Sequence, residues 1–113
     1  MKNDLPYLKH IVDAISKIED YVKNVKREKF LKDAKTQDAV VRELEVIGEA
    51  TKRLSGDIRQ RYPGIPWTAV AGTRDRLIHA YFDVDLEEVW KTVRDDIPHL
   101  KRTVEKMIAG LER

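Results

Sequence analysis

The chain contains no cysteine, which excludes disulfides, thiolate metal sites and a thiol nucleophile. It is also poor in chain breakers, with 5 glycines and 4 prolines in 113 residues. Its charged residues, 37% of the chain, are types that tolerate helix well, so the balance favours helices over sheet. No uninterrupted apolar run approaches the roughly 20 residues a membrane span needs. Met1-Lys2-Asn3-Asp4 leads into an amphipathic pattern without an apolar signal core, so the expectation is a cytoplasmic protein with no membrane partner. Neither sign of charge dominates: 22 basic against 20 acidic residues leave a formal charge of +2, so a nucleic-acid site must be a local patch. No His/Asp/Glu set has the spacing of a closed metal site and no Gly-rich phosphate loop is present, so neither metal nor cofactor is expected.

What is present is helical periodicity. Asp4 is the expected N-cap of a first helix from about Leu5 to Lys26, with Pro6 in its first turn and Leu8, Ile11, Ile15, Ile18, Val22 and Val25 on one face. Thr36 is the expected cap of a second helix carrying Val40, Leu44, Ile47 and Leu54, stopped by Gly56. A short helical turn is expected at Ile58 to Arg61. A third helix should run from Pro66 to Tyr81, with a boundary near Gly72. Asp85, with Glu88 three residues on, marks a fourth start. Its stripe from Val89 to Leu111 should kink or restart after Asp96 because of Pro98. With 42% hydrophobic residues, one domain over residues 1–113 is expected. The predicted architecture is all-α: an antiparallel up-and-down four-helix bundle with an additional short helix and a kinked C-terminal helix.

Chemistry enters at Arg74-Asp75-Arg76-Leu77-Ile78-His79-Ala80-Tyr81, an R-x4-H-x-Y motif. It follows Ile65-Pro66-Trp67 and precedes Phe82-Asp83-Val84-Asp85. With Leu8-Lys9-His10-Ile11, Thr36-Gln37-Asp38-Ala39, Ile47-Gly48-Glu49-Ala50 and Asp95-Asp96-Ile97-Pro98, this set resembles the HepT-like family of the HEPN superfamily over nearly the whole chain. The resemblance implies a HEPN-like helical bundle that forms a homodimer and cleaves RNA without a metal. It further implies a toxin of a toxin-antitoxin pair, neutralised by a minimal nucleotidyltransferase of the MntA type that AMPylates the motif tyrosine.

The residue types suit that chemistry. Cleavage needs the ribose 2′-OH to lose a proton and the 5′-oxygen to gain one. An imidazole with an ordinary pKa of about 6.5 does either, so His79 is the candidate general base or acid. Arg74 offers a permanent planar fork for phosphate oxygens, and a 2′,3′-cyclic phosphate product is expected. The residues name no second proton carrier. Tyr81 is the candidate site of modification, which would place bulk and negative charge in the cleft.

On a straight helix Arg74 and His79 diverge by roughly 140°, whereas Arg74 and Tyr81 lie within about 20°. Either the helix bends or two chains share one cleft; the resemblance favours the second. Asp75, Arg76, Lys52 and Arg53 are candidate supporting or RNA-binding residues, with Arg59 and Arg61 as outlying charges. Asp83 is ambiguous, and Asp85 reads as a cap. Phe82, Trp67 and Trp90 read as packing residues, and His10 and His99 are assigned no chemistry. The alternative reading is a non-catalytic helical module that partners a nucleotidyltransferase or binds nucleotide or nucleic acid. The RNA target is not readable from the residues.

Overall fold

The computed structural model describes residues 3–79 and 84–113, and of Ile78 and His79 the backbone only. Helix α1 is Leu5–Tyr21, α2 Arg27–Phe30, α3 Ala34–Lys52, α4 Gly56–Gln60, α5 Trp67–Ala71, α6 Thr73–His79, α7 Leu86–Lys91 and α8 Ile97–Leu111. The described residues contain no strand.

Each long helix buries one stripe. Leu8, Ile11, Ile15 and Ile18 of α1, Val40, Leu44 and Ile47 of α3, and Ile97, Leu100, Val104 and Met107 of α8 join a common core with Phe30, Leu54 and Trp67. Spacings of three and four residues keep such stripes on one side of a helix, which drives the helices together. Directions follow from the ends. The Asp4 carboxylate, at the start of α1, accepts from the Ser55 backbone N–H and hydroxyl just beyond α3, both at 2.7 Å. Lys101 near the start of α8 meets Glu19 near the end of α1 at 3.0 Å, and Lys9 meets Glu112 at 3.4 Å. Helix α1 is therefore antiparallel to both α3 and α8.

Several expected boundaries move. Asp4 does not cap α1 with its side chain. The Asn3 side-chain oxygen takes the Leu5 N–H at 3.2 Å, leaving Asp4 for Ser55. Helix α1 ends at Tyr21, well before Lys26, because the chain turns through Asn24 with φ 60°. Thr36 is capped rather than capping: the Asp33 carboxylate accepts from its backbone N–H at 3.2 Å and its hydroxyl at 2.6 Å. Helix α3 stops at Lys52 without Gly56, which opens α4 behind its cap Ser55. The boundary near Gly72 is present, between α5 and α6. Asp85 caps α7, accepting from the Glu88 N–H at 3.2 Å.

The C-terminal helix is joined from pieces. Thr92–Asp96 widens into a π-helical turn between α7 and α8, with helical backbone kept at Asp96 (φ −89°, ψ −39°) and Ile97 (φ −60°, ψ −43°). Pro98 lacks the N–H an α-helix would direct at residue 94, and the widened turn absorbs that loss without ending the helix.

Candidate active site

The motif is placed by a close approach between helices. A Cβ on Gly48 of α3 would lie 2.9 Å from the Arg74 backbone nitrogen, 3.2 Å from the Val70 carbonyl oxygen and 3.3 Å from the Arg74 Cβ. Only a residue without a side chain lets α5 and α6 settle this near α3. Helix α6 then runs unbroken over Thr73–His79, so Arg74 and His79 share one helical segment and, at about 100° per residue, their Cα positions stand roughly 140° apart around its axis.

Arg74 is 42% exposed and joins a chain of ion pairs that crosses from α3 to α6. Its Nε lies 3.7 Å from the Glu49 carboxylate, which also meets Arg53 at 3.4 Å. Its Nη1 lies 3.6 Å from Asp75, which accepts from Lys52 at 2.7 Å. Four of the residues selected from sequence, Arg74, Asp75, Lys52 and Arg53, are thus brought together. Glu49 is the link between them. Each such pair is worth little in water, about 0–1 kcal/mol, so the network does not sequester Arg74.

Arg76 points elsewhere. Two positions from Arg74, it donates to the Thr73 hydroxyl at 3.2 Å and lines a hollow of about 480 Å³ with Val70, Leu77, Val89 and His99. It does not widen the positive rim beside Arg74. Tyr81, Phe82 and Asp83 lie outside the described residues, as does the His79 side chain.

A second hollow, of about 350 Å³, is lined by His10, Arg42, Glu45, Val46, Glu49, Ala50, Arg53 and Arg74. Here sequence reasoning missed four residues: His10, which was given no role, and Arg42, Glu45 and Glu49. Positions 42, 45, 49 and 53 recur at helical spacing on α3, a pattern readable beforehand as one charged face. His10 comes from α1 and could be placed only by the fold. Both tryptophans pack: Trp67 is 7% exposed and donates to the Tyr62 carbonyl at 2.9 Å, and Trp90 lies against Phe30 with ring centroids 5.1 Å apart. His99 meets the Gly64 carbonyl at 3.3 Å. Among the described residues no group of three or more His, Asp or Glu side chains is arranged to hold a metal ion, and no helix is long and apolar enough to cross a membrane.

The motif's helix and its flanks fall inside a match to the family model described as ribonuclease HepT-like, which covers residues 11–107. The chain belongs to the HepT-like ribonuclease family. A Thermococcus cleftensis protein named Probable ribonuclease HepT is 50% identical over 101 residues, covering 89% of this chain and 92% of that protein. A Methanocaldococcus jannaschii protein with a provisional RNase name is 44% identical over 106 residues, 94% of this chain and 88% of its own. One from Caldanaerobacter subterraneus, similarly named, is 40% identical over 108 residues, 96% of each. No solved structure matches significantly. As a HepT-like chain, it has the all-α HEPN-like fold that its helices display.

Proposed function

We propose that this HepT-like chain is a metal-independent endoribonuclease acting as a homodimer, with Arg74 and His79 in catalysis. The observation that carries the reading is the placement of Arg74: half-exposed, held by Glu49 and Asp75 at a groove, and on the same unbroken helix as His79. In this reading Arg74 holds the scissile phosphate and offsets charge growing on its oxygens. His79 exchanges the proton: the 2′-oxygen gives up its hydrogen and bonds to phosphorus, the P–O5′ bond breaks, and the 5′-oxygen is protonated. The products are a 2′,3′-cyclic phosphate and a 5′-hydroxyl. The five-residue spacing supports a cleft shared by two chains, because on an unbroken helix the backbone positions of Arg74 and His79 stand roughly 140° apart around the axis.

The proposal extends to control. The chain is the toxin of a toxin-antitoxin pair, and its partner is a nucleotidyltransferase of the MntA type. The Tyr81 hydroxyl attacks the α-phosphorus of ATP bound by the partner, forming an O–P bond as pyrophosphate leaves. The added phosphodiester then repels an RNA backbone from the cleft.

The test is to incubate EDTA-treated protein with RNA, comparing wild type with Arg74→Ala and His79→Ala. Wild-type cleavage to 2′,3′-cyclic phosphate ends, lost in both variants, is expected. Persistent cleavage in His79→Ala, or products with plain 3′-hydroxyls, overturns the mechanism. Co-expression with the partner should add one adenylyl group by mass in wild type and none in Tyr81→Phe.

A further inference from the structure

We infer that the groove between α1 and α3 is an RNA-strand subsite continuous with Arg74, in which Arg42 and Arg53 take backbone phosphates and His10 carries a base. The inference rests on the reading of Arg74 as the group that holds the scissile phosphate.

The groove is built from three elements. On α3 and its C-cap, Arg42, Glu49 and Arg53 fall within about 40° of one another around the axis and span about 16 Å along it, long enough to follow a strand past more than one phosphate. Arg74 closes the groove from α6, and His10 forms its wall on α1. Arg53 and Arg74 are already drawn to the Glu49 carboxylate between them. The Arg42 side chain, by contrast, is exposed and makes no hydrogen bond or ion pair among the described residues. An exposed arginine with no ion pair among the described residues is open to a phosphate, and counterion release favours the exchange.

His10 supplies what a purely ionic track lacks. Its side chain is exposed and has no hydrogen-bond partner among the described residues, and its ring stands T-shaped to that of Tyr7, with centroids 6.2 Å apart and planes at 88°. The T-shaped contact engages one side of the His10 ring and orients it, and the exposure of the residue leaves ring surface for a base. Stacking on histidine or arginine planes is how single-stranded RNA is commonly held. Glu45, also without a side-chain partner among the described residues, is an acceptor in the same wall, suited to a ribose hydroxyl or a base N–H and unsuited to phosphate. The mixture of three arginines, two carboxylates and an aromatic ring fits a single strand with exposed bases better than a free anion.

The experiment measures binding of a single-stranded 12-nucleotide RNA by fluorescence anisotropy, in a His79→Ala background so that the strand stays intact. Circular dichroism confirms folding of each variant. Arg42→Glu should weaken binding about tenfold, and Arg42→Ala should lower the salt slope by about one. His10→Ala should weaken binding about five- to tenfold, with His10→Phe restoring it, as a stacking role requires. Glu105→Ala, on α8, is the control and should bind unchanged. Unchanged affinity in both Arg42→Glu and His10→Ala, or loss of affinity only through a change in the sedimenting mass, overturns the subsite. With His79 intact, a wild type that binds the strand without cleaving it sinks the endoribonuclease reading and leaves the subsite standing. Full cleavage with wild-type KM in Arg42→Glu does the reverse.

Discussion

Gly48 and Arg74 touch backbone to backbone: the position a Cβ would take on Gly48 is 2.9 Å from the Arg74 nitrogen. Glycine here sets the distance between the bundle's central helix and the helix that carries the motif. Gly48→Ala must push α6 outward, because the atoms it meets are backbone and cannot rotate away. Overpacking of this kind costs about 1–3 kcal/mol. The expected result is a lower midpoint in urea, with RNA cleavage falling further than the remaining folded fraction explains. A variant as stable and active as wild type would contradict the tight contact.

The Asp4–Ser55 link ties the start of α1 to the end of α3 through two 2.7 Å hydrogen bonds. Asp4→Ala removes the acceptor for both donors. At about 0.5–1.5 kcal/mol for each ordinary bond, and somewhat more for bonds to a charged group, a loss of about 1–3 kcal/mol is expected. Urea titration checks it. Asp4→Asn should recover part of the loss, since its side-chain oxygen still accepts one bond.

Stability should fall on the acid side through Asp33. The Thr36 hydroxyl and backbone N–H both donate to its carboxylate and hold its pKa below the usual carboxylate range. A depressed folded-state value means the stabilisation is fully present above the unfolded value of about 3.9 and is lost as pH falls through the lower folded one. Asp33→Asn keeps a capping oxygen and removes the titration. Its urea midpoint should therefore drop less than that of wild type between about pH 5 and pH 2, and parallel curves would rule out this contribution.

The parts of the fold legible in sequence were those decided by near neighbours. Asp85 with Glu88, and Pro98 with its disturbed turn, act within a few residues, and both appear where periodicity and capping put them. Asp4 and Thr36 were misassigned because each had a rival reading that only contacts resolve: Asp4 has a partner 51 residues away, and Asp33 stands three residues before Thr36 as the better acceptor. The site divides the same way. Arg74, Asp75, Lys52 and Arg53 were chosen as charges near a motif and do meet. Arg76 was chosen on the same ground and faces the other hollow, since two residues along a helix reverse direction. Glu49 is marked only as part of the charged face of α3, and His10 carries no local mark of its role. Only the packing of α1 and α6 on α3 brings them to Arg74.

Glu49 gives the sharpest test of how Arg74 is held. Its carboxylate stands 3.7 Å from Arg74 and 3.4 Å from Arg53, where the phosphate of the proposed reaction would approach. If it only competes for the two arginines, Glu49→Gln frees them and RNA binds more tightly. Exposed pairs are worth about 0–1 kcal/mol, so KM should fall by no more than about fivefold. If it also orients Arg74, kcat falls at the same time because the guanidinium no longer meets the transition state in one pose. Both effects are expected here, since Asp75 alone, at 3.6 Å from Nη1, leaves the Nε side of the fork unsupported. Steady-state kinetics separates them, and a fall in KM with kcat unchanged would show Glu49 to be a competitor only. Glu49→Asp, one methylene shorter, should then recover kcat partly while leaving KM low, because the carboxylate still attracts Arg74 from farther away.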